Sequence, residues 1–196
     1  MHNCISPHRD YDHMGEAINL INEFQVNKVI FNNDNYNDLE NNLINLLKDK
    51  NIKYYKNIKT INIDNNKLYF LQTREYDNEN DSSNVIYTEI DGYKFMFMGD
   101  AGIEKEKDIL DKYNISNVDV LKVGHHGSKT SSSESFINEM NPRYSIISVG
   151  KNNRYGHPNK EVLNTLNDSK IYRTDQDGSV MFKIINNKLK VDNCSP

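Results

Sequence analysis

The chain is poor in most of the features that would classify it at once. Its 196 residues include two cysteines, Cys4 and Cys194, almost at opposite ends. That excludes a disulfide framework or a cysteine metal site and fits a reducing compartment slightly better than an oxidising one. Tryptophan is absent and there are four prolines. No run approaches the roughly 20 apolar residues of a membrane span. The first residues lack the basic region and apolar core of a signal peptide, so a chain without a membrane span of its own is expected, cytoplasmic or held at a membrane through a larger complex. Positive charge is not in excess either: 24 Lys and Arg face 28 Asp and Glu, a net charge of -4. A global basic field that holds nucleic acid nonspecifically is therefore excluded, and any such contact has to be local. What remains is a polar chain, 36% hydrophobic and long enough for one core, read as a single domain over residues 1–196.

The hydrophobic pattern changes period along the chain. "GEAINLINEF" sets Ala17, Leu20, Ile21 and Phe24 at helical spacing, and "NKVIFN" reads as a short buried strand. "NDLENNLINLLKDKN" repeats the helix with Leu39, Leu43, Leu46 and Leu47 on one stripe behind an Asp or Asn cap, and "IKYY" follows as a strand. From about residue 57 to 97 the segments "TINI", "KLYFLQTR", "NVIYTEI" and "YKFMFMG" read as antiparallel strands. The intervening "REYDNENDSSN" is expected to be a solvated loop. Helices and strands then alternate up to a closing hairpin, "SVMFKIINNKLKV", giving a layered α/β protein.

The chemistry is concentrated at predicted strand ends. "SPHRDYDHMG" places His8, Asp10, Asp12 and His13 within six positions behind the short strand "NCIS". Residues i and i+2 of an extended segment project to one side, so His8 and Asp10 can close on one metal while Asp12 and His13 reach a second. Asp100 follows the strand of "FMFMGDAG", His125 and His126 follow that of "VLKVGHHGSKTSSS", and His157 follows that of "YSIISVGKNNRYGHPN". Loops at the carboxyl ends of α/β strands share one edge of the sheet. Five of six histidines thus gather with three aspartates, a pattern that points to one shared metal site.

The order HxDxDH, a strand ending in GD, "LKVGHHGSKTSSS" and "SVGKNNRYGHPN" resembles the metallo-β-lactamase superfamily, and within it the C-terminal domain of the ComEC/Rec2 competence proteins. The similarity runs from about residue 5 to 178. The resemblance implies a four-layer αββα fold and a hydrolase with two divalent ions, Zn²⁺ or Mn²⁺, activating a hydroxide. His8 and Asp10 would hold one ion, Asp12 and His13 the other, and Asp100 would bridge them. The remaining imidazole ligand would be His157, with His126 as its rival. Asp12, His125 and His126 would act in catalysis, the two histidines holding the phosphate or protonating the leaving group. Ser128, Lys129, Ser131 and Asn153 are the candidate substrate-binding residues, and the amides at the helix start near Ser132 offer a place for a phosphate oxygen.

Two positions differ from the commonest superfamily motifs, both as in the competence-type branch. Asp10 occupies the place of a histidine in the commonest first motif, HxHxDH, which hardens the donor set toward Mn²⁺. Asn84 stands where a third-motif histidine is usual. The superfamily also carries strands with an IDxG-like motif ahead of the first metal motif, so this chain is expected to lack its first strands and to leave an open sheet edge. The expected activity is a phosphodiesterase or nuclease acting on DNA in competence-type DNA uptake. The alternatives are a small-molecule phosphoesterase of the phosphorylcholine esterase kind and an inactive fragment that needs a partner chain or its missing strands.

Overall fold

The computed structural model describes residues 2–6, 8–32 and 36–194. Three sheets organise it. The first is parallel in the order β1-β2-β3, built from β1 (His2–Ile5), β2 (Val26–Phe31) and β3 (Lys53–Lys56). Two short helices, α1 (Tyr11–Met14) and α2 (Ala17–Glu23), lead from β1 to β2, and α3 (Asp38–Asp49) leads on to β3. The second sheet runs β10-β9-β8-β7-β6-β5-β4. Its strands are β4 (Thr60–Ile63), β5 (Asn66–Phe70), β6 (Ile86–Ile90), β7 (Tyr93–Phe97), β8 (Val120–Lys122), β9 (Tyr144–Ile147) and β10 (Lys170–Arg173). Pairing is antiparallel from β4 to β7 and parallel from β7 to β10. The parallel half is where crossover helices occur: α4 (Ile103–Lys112), α5 (Glu134–Met140) and α6 (Lys160–Thr165). Helix α7 (Thr174–Asp177) then leads to the hairpin of β11 (Ser179–Ile185) and β12 (Lys188–Cys194).

The layering follows from strand alternation. Met96, Leu121 and Ile147 point to one face of the second sheet and pack with Ile109 of α4, Phe136, Ile137 and Met140 of α5 and Val162 of α6. Their neighbours Phe95, Val120 and Ile146 point the other way and meet Phe182 and Leu189 of the hairpin. Ile30 of the first sheet meets Ile61 and Phe70 of the second, so the two sheets face each other. Val29 and Phe31, alternating with Ile30, pack outward on Ile21 of α2 and Leu43, Ile44 and Leu47 of α3. Helices, sheet, sheet, helices is the αββα order. Among the described residues no helix is long and apolar enough to cross a membrane.

Two expectations need amending. The apolar stripe of α2 is covered only at Ile21 and partly at Ala17, whereas Leu20 and Phe24 are 40% and 53% exposed. The segment 74–84 is no free solvated loop: Asp81 and Ser83 are buried, because both hold backbone amides of the loop that carries Asp100.

Candidate metal centre

Four strand ends supply the site, and local hydrogen bonds fix each one. After β1 the chain is tied by Ser6, whose amide bonds Ile30 O and whose hydroxyl donates to His8 O at 2.8 Å. Asn37 caps α3 in a reciprocal box with Glu40 and also donates its side-chain amide to Arg9 O at 2.8 Å. Asn84, at the place of the absent third-motif histidine, donates to Ser6 O at 2.8 Å. It braces the loop that carries His8.

After β7, the Asp100 amide donates to Ser83 Oγ at 3.1 Å and the Gly102 amide to Asp81 Oδ1 at 2.8 Å. After β8, Gly124–Gly127 forms a tight turn in which His125 and His126 both take left-handed backbone angles, φ 45° and 54°. Such angles are costly for non-glycine residues and persist where surrounding contacts enforce them. Here those contacts are close: a Cβ on Gly124 would lie 2.7 Å from Ala101 O, and one on Gly127 2.7 Å from Pro158 Cβ. Ser131 Oγ holds the turn through Gly124 O at 2.9 Å.

The result is a convergence of imidazole Nε2 atoms on two carboxylates. His13 Nε2 lies 3.1 Å from Asp100 Oδ1 and 3.7 Å from Asp12 Oδ2. His126 Nε2 lies 3.1 Å from Asp12 Oδ2 and 3.8 Å from Asp100 Oδ2. His125 Nε2 stands 3.9 Å from the same Asp100 oxygen. His8, fully buried, directs an Nε2 without a hydrogen-bond partner to within 3.4 Å of Asp100 Oδ2. One donor atom each from Asp12, His13, Asp100 and His126 fit within 4.8 Å of one another. Donors at about 2.0–2.2 Å from a divalent ion are about 3–3.5 Å apart, which the 3.1 Å His13–Asp100 and His126–Asp12 pairs match, while the wider pairs would close around an ion. The tautomer suits it too: His126 Nδ1 is 2.8 Å from Ser148 O, which engages that nitrogen as donor and leaves the Nε2 lone pair facing the carboxylates. Burial alone would raise the Asp100 carboxyl, but the hydrogen bond with His13 and the approach of His8 and His126 outweigh it and hold it well below the usual range. Burial works against a charged His8, yet the adjacent Asp100, with Asp10 and Asp12, keeps it above the ordinary histidine value.

The remaining site candidates lie around this group. Asp10 is exposed, with Oδ2 3.7 Å from His8 Nδ1, on the opposite edge of that ring from Asp100. His157 lies one ring further out, its centroid 5.9 Å from that of His125. Burial, then the neighbouring His125 and His126, push its imidazole down. Ser128 is buried against Thr130, Lys129 is exposed, and the Ser131 hydroxyl is committed to Gly124 O and Ser128 O. Asn153 spends its amide on its own loop, donating to Gly150 O and His157 O and accepting from His157 N. The amides of Ser132 and Ser133, expected to be open to a phosphate, are taken by the buried Glu106 carboxylate at 2.5 and 2.9 Å. Sequence reasoning missed Glu106, Asp81 and Ser83. Each acts by capping a backbone amide across the fold, which leaves no spacing signal.

A family model of the metallo-β-lactamase superfamily matches residues 8–151, from His8 to just past β9. The chain belongs to the metallo-β-lactamase superfamily. Its relatives include ComE operon protein 3 of Bacillus subtilis (strain 168), 32% identical over 189 residues, covering 93% of this chain and 24% of that protein. Competence protein ComA of Neisseria gonorrhoeae is 36% identical over 119 residues, 58% of this chain and 17% of the relative. The chain therefore spans about a quarter or less of these competence proteins. A solved structure of a candidate Zn-dependent hydrolase of the superfamily from Thermotoga maritima covers 75% of this chain and 70% of its own, with 16% identity and a TM-score of 0.41.

Proposed function

We propose that the chain is a metal-dependent phosphodiesterase that cleaves DNA, with two divalent ions, Zn²⁺ or Mn²⁺, held around Asp100. The observation that carries this is the approach of His8, His13 and His126 Nε2 atoms to Asp100 and Asp12. Asp12, His13, Asp100 and His126 make one donor set, and His8 with the second Asp100 oxygen begins the other. Asp10 steadies His8 from its far nitrogen, its backbone amide donating to Nδ1 at 3.4 Å and its carboxylate standing 3.7 Å away. When bound, the ions supply Lewis acidity to phosphoryl oxygens and acidify a water molecule.

The chain's own groups do the rest. His125, with Nδ1 3.2 Å from Thr130 Oγ1 and Nε2 toward the cluster, is placed to donate to a phosphate oxygen or to the departing alkoxide. Lys129, two residues beyond the turn, offers a charge to the incoming anion. The resemblance to the ComEC/Rec2 competence proteins favours DNA as the polymer, and within a longer protein of that kind the domain would work beside a membrane.

The test is hydrolysis of single-stranded DNA and of bis(p-nitrophenyl) phosphate by purified protein supplied with Mn²⁺ or Zn²⁺. Both are expected to be cut, EDTA to stop the reaction, and Asp100→Ala to lose both activities while keeping its circular dichroism. Cleavage of the small ester alone would make the substrate a small phosphoester. No turnover by the metal-loaded protein, or unchanged turnover in Asp100→Ala, would overturn the proposal.

A further inference from the structure

Outside the metal cluster, the loop 150–157 carries a combination that the hydrolytic chemistry does not use. Tyr155 is 82% exposed, the most open of the large hydrophobic side chains among the described residues. It is nevertheless held in place, its ring stacked on that of His157 at 5.8 Å with an 18° interplanar angle. His157 in turn meets His125 at 5.9 Å, and His125 reaches the cluster, so a ladder of rings leads from Tyr155 to Asp100.

At a centroid separation of 5.8 Å the two rings are offset, and at 82% exposure the tyrosine keeps its ring open to a base. The loop beneath is anchored by the three hydrogen bonds of the Asn153 side chain, so little ordering cost remains for a ligand that uses the open face. Lys151 and Arg154, both just ahead of Tyr155 in the same loop, are exposed and make no ion pair among the described residues. No acidic residue occurs between 148 and 160, in a chain whose net charge is -4. Asn159 N donates to Gly127 O at 2.8 Å, which joins this loop to the one bearing the exposed Lys129.

An exposed ring on an anchored loop with unpaired cations, beside a candidate phosphodiester-cleaving centre, matches the needs of an unpaired nucleic-acid strand: stacking for a base and charge for the adjoining phosphates. Resting on the phosphodiesterase reading, we infer that loop 150–157 is the strand-binding element, with Tyr155 stacking on a base next to the scissile phosphate and Lys151, Arg154 and Lys129 contacting the neighbouring phosphates. A duplex hides its base faces, so the element selects single strands.

The test is fluorescence anisotropy with labelled oligothymidylate in EDTA, where no cleavage occurs. Tyr155→Ala is expected to weaken binding about tenfold, within the range for loss of one base stack, and Tyr155→Phe to bind within about twofold of the parent protein. An abasic oligomer of the same length should bind the parent protein and Tyr155→Ala alike. Lys151→Gln and Arg154→Gln should each reduce the slope of log affinity against log salt by about 0.7. Parent-like binding by Tyr155→Ala, or an equal loss on the abasic oligomer, would overturn the inference. Base-dependent binding without hydrolysis would strike only the reaction proposed above. Hydrolysis of bis(p-nitrophenyl) phosphate with base-independent binding would strike only the strand-binding element.

Discussion

Replacing Glu106 by glutamine tests whether the histidine turn is held by the protein's own carboxylate. Both Glu106 oxygens receive amides, from Ser132 at 2.5 Å and Ser133 at 2.9 Å, and the side chain is buried. A glutamine presents one acceptor and one NH₂ group, so one of those amides is left facing a donor. Leaving a buried amide unpaired costs about 1–3 kcal/mol, and exchanging a carboxylate acceptor for a neutral one adds to this, so about 2–3 kcal/mol is expected. For a chain of this size each kcal/mol lowers Tm by roughly 2–4 °C, which makes the shift about 5–10 °C. The damage should extend to the site, because the loop freed by the substitution includes Ser131, whose hydroxyl holds Gly124 O at the start of the His125–His126 turn. Metal affinity is expected to fall about 10- to 100-fold, the usual effect of losing an outer support. Thermal unfolding of the metal-free variant and metal titration against a chromophoric chelator measure the two effects. A Tm within 1 °C of the parent and an unchanged affinity would refute the bracing role.

Lys105 is 5% exposed, with its ammonium 4.9 Å over the Tyr76 ring, and burial pushes it down to about 8 from 10.5. Since the folded value is the lower one, the cost of burying the charge is full below pH 8 and fades as pH rises to 10.5. At about 1.4 kcal/mol per unit, less roughly 1 kcal/mol for the ring contact, Lys105→Met should stabilise the fold by about 2–3 kcal/mol at pH 7 in urea unfolding. An advantage undiminished at pH 10 would contradict this. Asp10→Asn is expected to loosen the metal about 10- to 100-fold but to keep it, while Asp12→Asn loses it, as read by metal content after dialysis; equal losses would show that Asp10 ligates directly.

The layered fold was legible because its signals are periodic. The alternation of Phe95 with Met96 and of Val120 with Leu121 assigns two faces to the second sheet, and Asn37 with Glu40 announces the start of α3. The cluster was legible as strand ends followed by His and Asp. The choice between His126 and His157 was not, since it depends on a turn in which two histidines adopt left-handed angles, with His157 set behind them. Leu20 and Phe24 mislead because helical spacing shows which residues share a face, but not how far a neighbouring element covers it. The support from Asp81, Ser83 and Glu106 was invisible for another reason: a side chain that caps a distant amide needs only a polar atom in the right place, and any loop rich in Asp, Ser and Asn offers one.

The central claim is that Asp100 gathers imidazoles around divalent ions. Isothermal titration of Mn²⁺ and Zn²⁺ into metal-stripped protein, run beside Asp100→Asn, tests it most directly. The account predicts saturable uptake by the parent chain and loss of that uptake in the variant, with both folded by circular dichroism. A folded parent chain that takes up neither ion, or an Asp100→Asn variant that binds them equally well, would contradict it.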